Sequence, residues 1–93
     1  MEQIYKLPLV LEPQPEGGYT ITCPLIPGLI TEADTLDQVQ PHVTDALAAL
    51  IEGYQALGKA MPPALRALAA QADTPLWTEA LIAVKAVELG AVA

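Results

Sequence analysis

Gly18-Tyr-Thr-Ile-Thr-Cys-Pro-Leu-Ile-Pro-Gly-Leu-Ile-Thr-Glu-Ala-Asp-Thr-Leu-Asp37 decides how this chain folds. Its first residue, with Gly17, tolerates the positive φ of a tight turn. Tyr19 to Cys23 then alternates apolar and polar residues with a period of two, the pattern of a strand with Tyr19, Ile21 and Cys23 inward and Thr20 and Thr22 outward. Pro24 ends that strand. Pro27-Gly28 supplies the preset φ and the positive φ that a type II turn requires at its two central positions. Leu29 to Ala33 is a third short strand. Thr35 follows as a helix N-cap, with Gln38 three residues later completing a capping box.

Upstream, residues 4 to 11 read as a strand with Tyr5, Leu7, Leu9 and Leu11 on one face and Ile4, Lys6, Pro8 and Val10 on the other. Pro8 has no amide donor and points to an edge position or a bulge. Glu12-Pro-Gln-Pro-Glu-Gly-Gly18 is the turn that joins this strand to the next in a hairpin. Downstream, Leu36, Val39, Val43, Leu47, Leu50, Tyr54 and Leu57 recur at spacings of three and four, an apolar stripe that Gly58 closes at a C′ position. Pro41 falls near the start of this helix and predicts a kink or an irregular first turn. With Pro41 and Gly53 inside it, the stripe reads as core packing on a sheet and not as a coiled coil. Met61-Pro62-Pro63 is extended, and Pro63 opens a short helix over 64–72. Residues 78 to 89 fit a helix by composition and a buried strand over 81–87 by apolar content.

Ninety-three residues with 53% hydrophobic content make one folded domain, 1–93, with no Phe and one Trp for its core. An Ala-rich chain of this size gains from burying further surface in an oligomer, a dimer or larger. The net charge is −7, from eleven acidic residues against Lys6, Lys59, Arg66 and Lys85. Phosphate contacts need clustered Lys and Arg, so direct nucleic-acid binding is not expected, whereas a basic protein partner is. One cysteine forms no intrachain disulfide, the N-terminus lacks a signal-peptide pattern, and the longest apolar run is Ala80 to Val84. The expectation is a soluble cytoplasmic protein without a membrane span.

Cys23, His42 and Asp45 contain the residue types of a cysteine hydrolase. A reactive thiolate needs an electropositive, open setting, and Cys23 lies on an inward face in an acidic chain, so it reads as a structural cysteine. One His with one Cys makes no metal cage. Glu32, Asp34 and Asp37 could hold Mg²⁺, but Asp34 and Asp37 flank a helix N-terminus, where the dipole favours negative charge. They read as capping and solubility residues. No catalytic residue, metal ligand or cofactor is assigned.

The order strand, Gly-Gly-Tyr turn, strand, Pro-x-x-Pro-Gly corner, short strand, Asp-Thr-Leu-Asp helix start resembles the HicB-like antitoxin family of the HicA/HicB type II toxin–antitoxin pairs. The matching positions are Gly18, Tyr19, Pro24, Pro27, Gly28, Asp34, Thr35, Leu36 and Asp37, and the similarity covers residues 4 to 65. Met61-Pro62-Pro63 is similar to the proline segment that members carry after the helix. The resemblance implies an α+β fold of β-β-β-α-β order, partial ribonuclease-H-like without the catalytic carboxylates, with a sheet covered on one face by one main helix and residues 80–87 as its last strand. It further implies a non-enzymatic antitoxin that occludes a small basic, HicA-like ribonuclease toxin. The contact residues expected from charge and exposure are Glu32, Asp34 and Asp37 with Leu25 and Ile26 at the tip of the corner. Gly18, Tyr19, Pro24, Pro27, Gly28 and Thr35 are structural. Ala33 stands where the family often has Gly, and Leu29 where it often has Cys. No DNA-binding unit is visible after Leu89, which weighs against operator binding and leaves an oligomeric adaptor or ligand-binding module without a toxin as the alternative. An enzyme on the same scaffold would need carboxylates clustered on its strands.

Overall fold

The computed structural model describes residues 3–70 and 75–84. It shows a small α+β domain of a three-stranded antiparallel sheet, a further strand pair and one main helix. The strands are β1 (Ile4–Tyr5), β2 (Val10–Pro13), β3 (Tyr19–Thr22), β4 (Ile30–Ala33) and β5 (Ala69–Ala70), and the helices are α1 (Val39–Ala56) and α2 (Pro63–Ala67). The sheet order is β2-β3-β4, with β3 central, and β1 pairs separately with β5.

The expected first strand is broken. Its inward row holds, since Tyr5, Leu7 and Leu9 pack against the core cluster of Cys23, Ile26, Leu29, Leu47 and Leu65. Its backbone pairing does not hold: β1 stops at Tyr5, β2 begins at Val10, and exposed Pro8 lies in the gap. A residue without an amide cannot donate to a ladder, and the segment leaves the sheet around it. Lys6 instead donates its amide to the Leu68 carbonyl at 3.0 Å, beside the β1–β5 pair.

The turn tightens to Gln14–Gly18, where the Gln14 amide donates to the Gly18 carbonyl and the Gly17 amide to that of Gln14, both at 3.0 Å. The Pro corner closes as expected. Leu29 donates to the Ile26 carbonyl at 3.2 Å across Pro27 and Gly28, with Gly28 at φ 89°, the positive φ of a type II turn.

Helix α1 starts later than the capping box predicts. Leu36–Gln38 forms a 3₁₀ turn, and the α-helix begins at Val39. Pro41 is then the third α-helical residue, where an amide would have no intrahelical partner, so the irregular first turn absorbs it. The Thr35 hydroxyl does not cap the helix but donates to the Asp37 carboxylate, and Gln38 Oε1 accepts from the Asp34 amide at 3.0 Å. Gln38 thus reaches back one residue beyond the expected N-cap amide, and Thr35 bonds a side chain in place of the expected backbone amide. At the far end the Gly58 amide donates to the Gln55 carbonyl and the Lys59 amide to that of Tyr54, the paired bonds of a Schellman motif.

Val39, Val43 and Leu47 on α1 are buried, the first two against Ile21 and Ala33 and the third against Cys23, Ile26, Leu29 and Leu65. Leu50 and Tyr54 are half-buried, while Leu57, placed in the stripe by its spacing, is exposed. The stripe ends there, where the chain turns at Gly58. Helix α2 is shorter than the predicted 64–72: Leu68 ends it, Ala69–Ala70 pairs with β1, and residues 71–72 lie outside the described part. The last strand expected over 80–87 is absent at 80–84, which carry no regular structure, and 85–87 lie outside the described residues. The strand that follows the helix and completes a pair is β5.

Leu47→Ala is expected to lose about 2–5 kcal/mol of stability in denaturant melts, the cost of a core leucine truncated where its surroundings cannot collapse. A loss under about half a kcal/mol, far below that range, would show that α1 does not seat on this core.

Candidate functional site

The register of the sheet sorts its side chains onto two faces. Leu11, Ile21 and Thr31 form one cross-strand row and Pro13, Tyr19 and Ala33 another. Ile21 and Ala33 are buried from these rows against α1. The opposite face carries the rows Val10–Thr22–Ile30 and Glu12–Thr20–Glu32. Val10, Glu12, Ile30 and Glu32 are exposed, so no described element covers this outer face. Between the two carboxylates, Thr20 Oγ1 accepts a hydrogen bond from Gln14 Nε2 at 3.0 Å.

At the turn end of this face, Glu16, Glu32 and Asp34 line one depression of about 60 Å³ with Gln14, Gly17, Gly18 and Tyr19, and no Lys or Arg lines it. Its floor depends on Gly18. That residue has φ 78°, and a Cβ there would lie 3.0 Å from the Ala33 carbonyl oxygen. Glu32 is fixed from the helix side as well: His42, half-buried on α1, places Nδ1 2.6 Å from the Glu32 carbonyl and donates to it in the Nδ1–H tautomer.

Of the expected contact residues, Glu32, Asp34 and Asp37 are exposed and lie together at the end of β4 and the start of the helix. Leu25 is exposed at the corner tip. Ile26 is not available there. It is 1% exposed in the core, because its amide donates to the Cys23 carbonyl and the corner folds its side chain under the loop. Ile30, at 64%, is more exposed than Leu25. Ile30 and Glu12 were legible in principle, since each lies two residues from a glutamate or valine on the outward parity of its own strand. Glu16 lies in the turn, where no period applies.

Cys23 is a free, buried thiol among apolar side chains. Leu29 and Ala33 are both buried. Among the described residues no three His, Cys, Asp or Glu side chains are grouped to hold a metal ion, and no helix is long and apolar enough to cross a membrane.

A hairpin, a Pro-Gly corner and one helix laid on an antiparallel sheet leave an uncovered, acidic outer face. The family model described as HicB-like antitoxin of bacterial toxin-antitoxin system matches residues 7–93, nearly the whole of this arrangement. The chain belongs to that family. The antitoxin HicB 1 of Photorhabdus laumondii subsp. laumondii is 39% identical over 49 residues, which cover 53% of this chain and 32% of the relative. This HicB-like chain therefore aligns with only about a third of that antitoxin. The UPF0150 protein ssr1765 of Synechocystis sp. is 31% identical over 61 residues, covering 66% of this chain and 77% of the relative.

Gly18→Ala is expected to destabilise by about 2 kcal/mol or more, from an L-residue at positive φ pressed on backbone. Gly53→Ala, inside α1 with nothing within 4 Å of the added Cβ, should instead stabilise by about 0.5–1 kcal/mol. Thermal melts in which the two variants move together would show that the turn does not carry the strain assigned to Gly18.

Proposed function

We propose that this HicB-like chain is a non-enzymatic antitoxin that binds and occludes a small basic ribonuclease toxin of the HicA-like kind through its acidic outer face. What supports this reading above all is the bare row Glu12–Thr20–Glu32, which leads to Asp34 and Asp37 and runs beside the apolar row ending at Ile30. A ribonuclease binds phosphodiesters through cationic groups. A row of carboxylates offers the same groups a competing set of anions on a rigid support. Val10, Ile30 and Leu25, exposed alongside, supply apolar contact that excludes water from the same interface. Strand β4 gives this face its rigidity, since its other side is buried on α1. Ile26, being core, takes no part.

Binding is the chemistry such a face can perform. The carboxylates are spread along a row and around an open depression, an arrangement suited to pairing with the cationic groups of a partner. Occlusion then needs no step beyond association, and the net charge of −7 steers a basic partner toward the chain.

The experiment is stopped-flow association of the full chain with a small basic HicA-like ribonuclease, with RNA cleavage by that ribonuclease as the second readout. The association rate is expected to fall as salt rises. Changing Glu32, Asp34 and Asp37 together to Gln, Asn and Asn is expected to slow it about tenfold or more, with the far-ultraviolet spectrum unchanged. The wild-type chain is expected to protect the RNA and to cleave none itself. Magnesium-dependent cleavage by the pure chain that disappears in the triple variant would overturn the non-enzymatic reading. Failure to protect the RNA would leave the oligomeric adaptor as the better account.

A further inference from the structure

Among the described residues, β4 has β3 on one side and no strand on the other. Backbone groups along such an outer edge have no ladder partner. Two of them, on either side of Ala33, are taken by side chains from the start of the helix. His42, the chain's one histidine, donates from Nδ1 to the Glu32 carbonyl at 2.6 Å, and the Asp34 amide donates to Gln38 Oε1 at 3.0 Å. Four residues apart, Gln38 and His42 project from one side of that helix start. A third bond joins them, from the Thr35 hydroxyl to the Asp37 carboxylate. Both backbone bonds lie at exposed positions, where water would satisfy the same groups. They therefore add little to stability, and what they do add is a fixed direction for the end of the strand.

We propose that His42 and Gln38 are positioning residues of the acidic face, which set the spacing and direction of the Glu32 and Asp34 carboxylates and so govern how long a basic partner is retained. This rests on the toxin reading and deepens it. With Ala33 in strand conformation between them, Glu32 and Asp34 stand about 6.5–7 Å apart along the chain. The clamp holds that spacing before a partner arrives, so less ordering entropy is lost on binding. Encounter is a different matter. It is steered by the summed charge of the chain, to which the clamp contributes nothing, and the rate of arrival is left as it was. Retention depends on whether fixed carboxylates meet fixed cations in register, and differences of that kind fall on the dissociation rate.

The test begins on the full chain alone. Long-range proton–nitrogen spectra of neutral His42 are expected to place its proton on Nδ1, and the Asp34 amide should exchange about tenfold faster in Gln38→Ala. Stopped-flow with a HicA-like ribonuclease then separates the two rates. In His42→Ala the dissociation rate is expected to rise about fivefold, while the association rate and its salt dependence stay within about twofold of wild type. His42→Asn should restore slow dissociation, since Asn Nδ2 stands where the imidazole Nδ1 does and donates in its place. Should His42→Ala fail to fold, Gln38→Ala decides by the same pair of rates. A neutral His42 protonated at Nε2 would overturn the proposal. So would wild-type dissociation from the folded alanine variants, a loss carried by the association rate, or an asparagine variant no better than alanine. If the wild-type chain does not bind the ribonuclease at all, the toxin reading falls and the retention role falls with it. If it binds and the alanine variants are retained equally well, only the positioning role is lost.

Discussion

Everything in this domain hangs on the seating of Val39, Val43 and Leu47 in the space that β3, β4 and the Pro corner leave for them. With no Phe in the chain, close fit among Val, Leu, Ile and Ala has to replace large side chains. Each fully buried aliphatic side chain is worth about 1.5–3 kcal/mol, so three of them on one helix are a large share of what a small domain can muster. Ala33 is part of that fit. Its small, buried side chain lies in one cluster with Ile21, Val39 and Val43, which brings the helix close to β4. Leu7 and Leu9 touch both core clusters, so the N-terminal segment ties the sheet half of the core to the corner half.

That packing divides labour on a single strand. In β4, Thr31 and Ala33 face the helix while Ile30 and Glu32 face outward, and the period of two keeps the sets apart. The same backbone therefore serves the core and displays the outer face. A change at Glu32 can alter recognition without touching a core contact, whereas a one-residue slip of β4 would bury a carboxylate and expose Ala33.

How much was legible follows from which signals are periodic. The inward row Tyr5, Leu7, Leu9 and Leu11, the alternation in β3 and the stripe on α1 were all readable, because burial on one face writes a period into sequence. The Gly17-Gly18 turn and the Pro27-Gly28 corner were readable because few residues fit their backbone angles. Ile26 was misplaced because a corner has no period: whether its tip side chain points in or out depends on the hydrogen bonds that fold it, and here they turn it under. The strand 4–11 was right in its facing and wrong in its pairing, since Pro8 removes a donor without changing which side is apolar. Leu57 continued the stripe in spacing after the packing surface had ended. The expected strand at 80–84 drew on apolar content, which marks a need for cover without saying whether the same chain supplies it.

The gap between β1 and β2 separates two kinds of order that ordinarily go together. Leu7 and Leu9 are held by their side chains in the core, yet the backbone that carries them belongs to no ladder. In hydrogen exchange such a stretch reads as open while its methyl groups read as fixed, because amide protection follows backbone pairing and methyl order follows packing. The N-terminal segment is thus a peg pushed into the core and not a plank of the sheet.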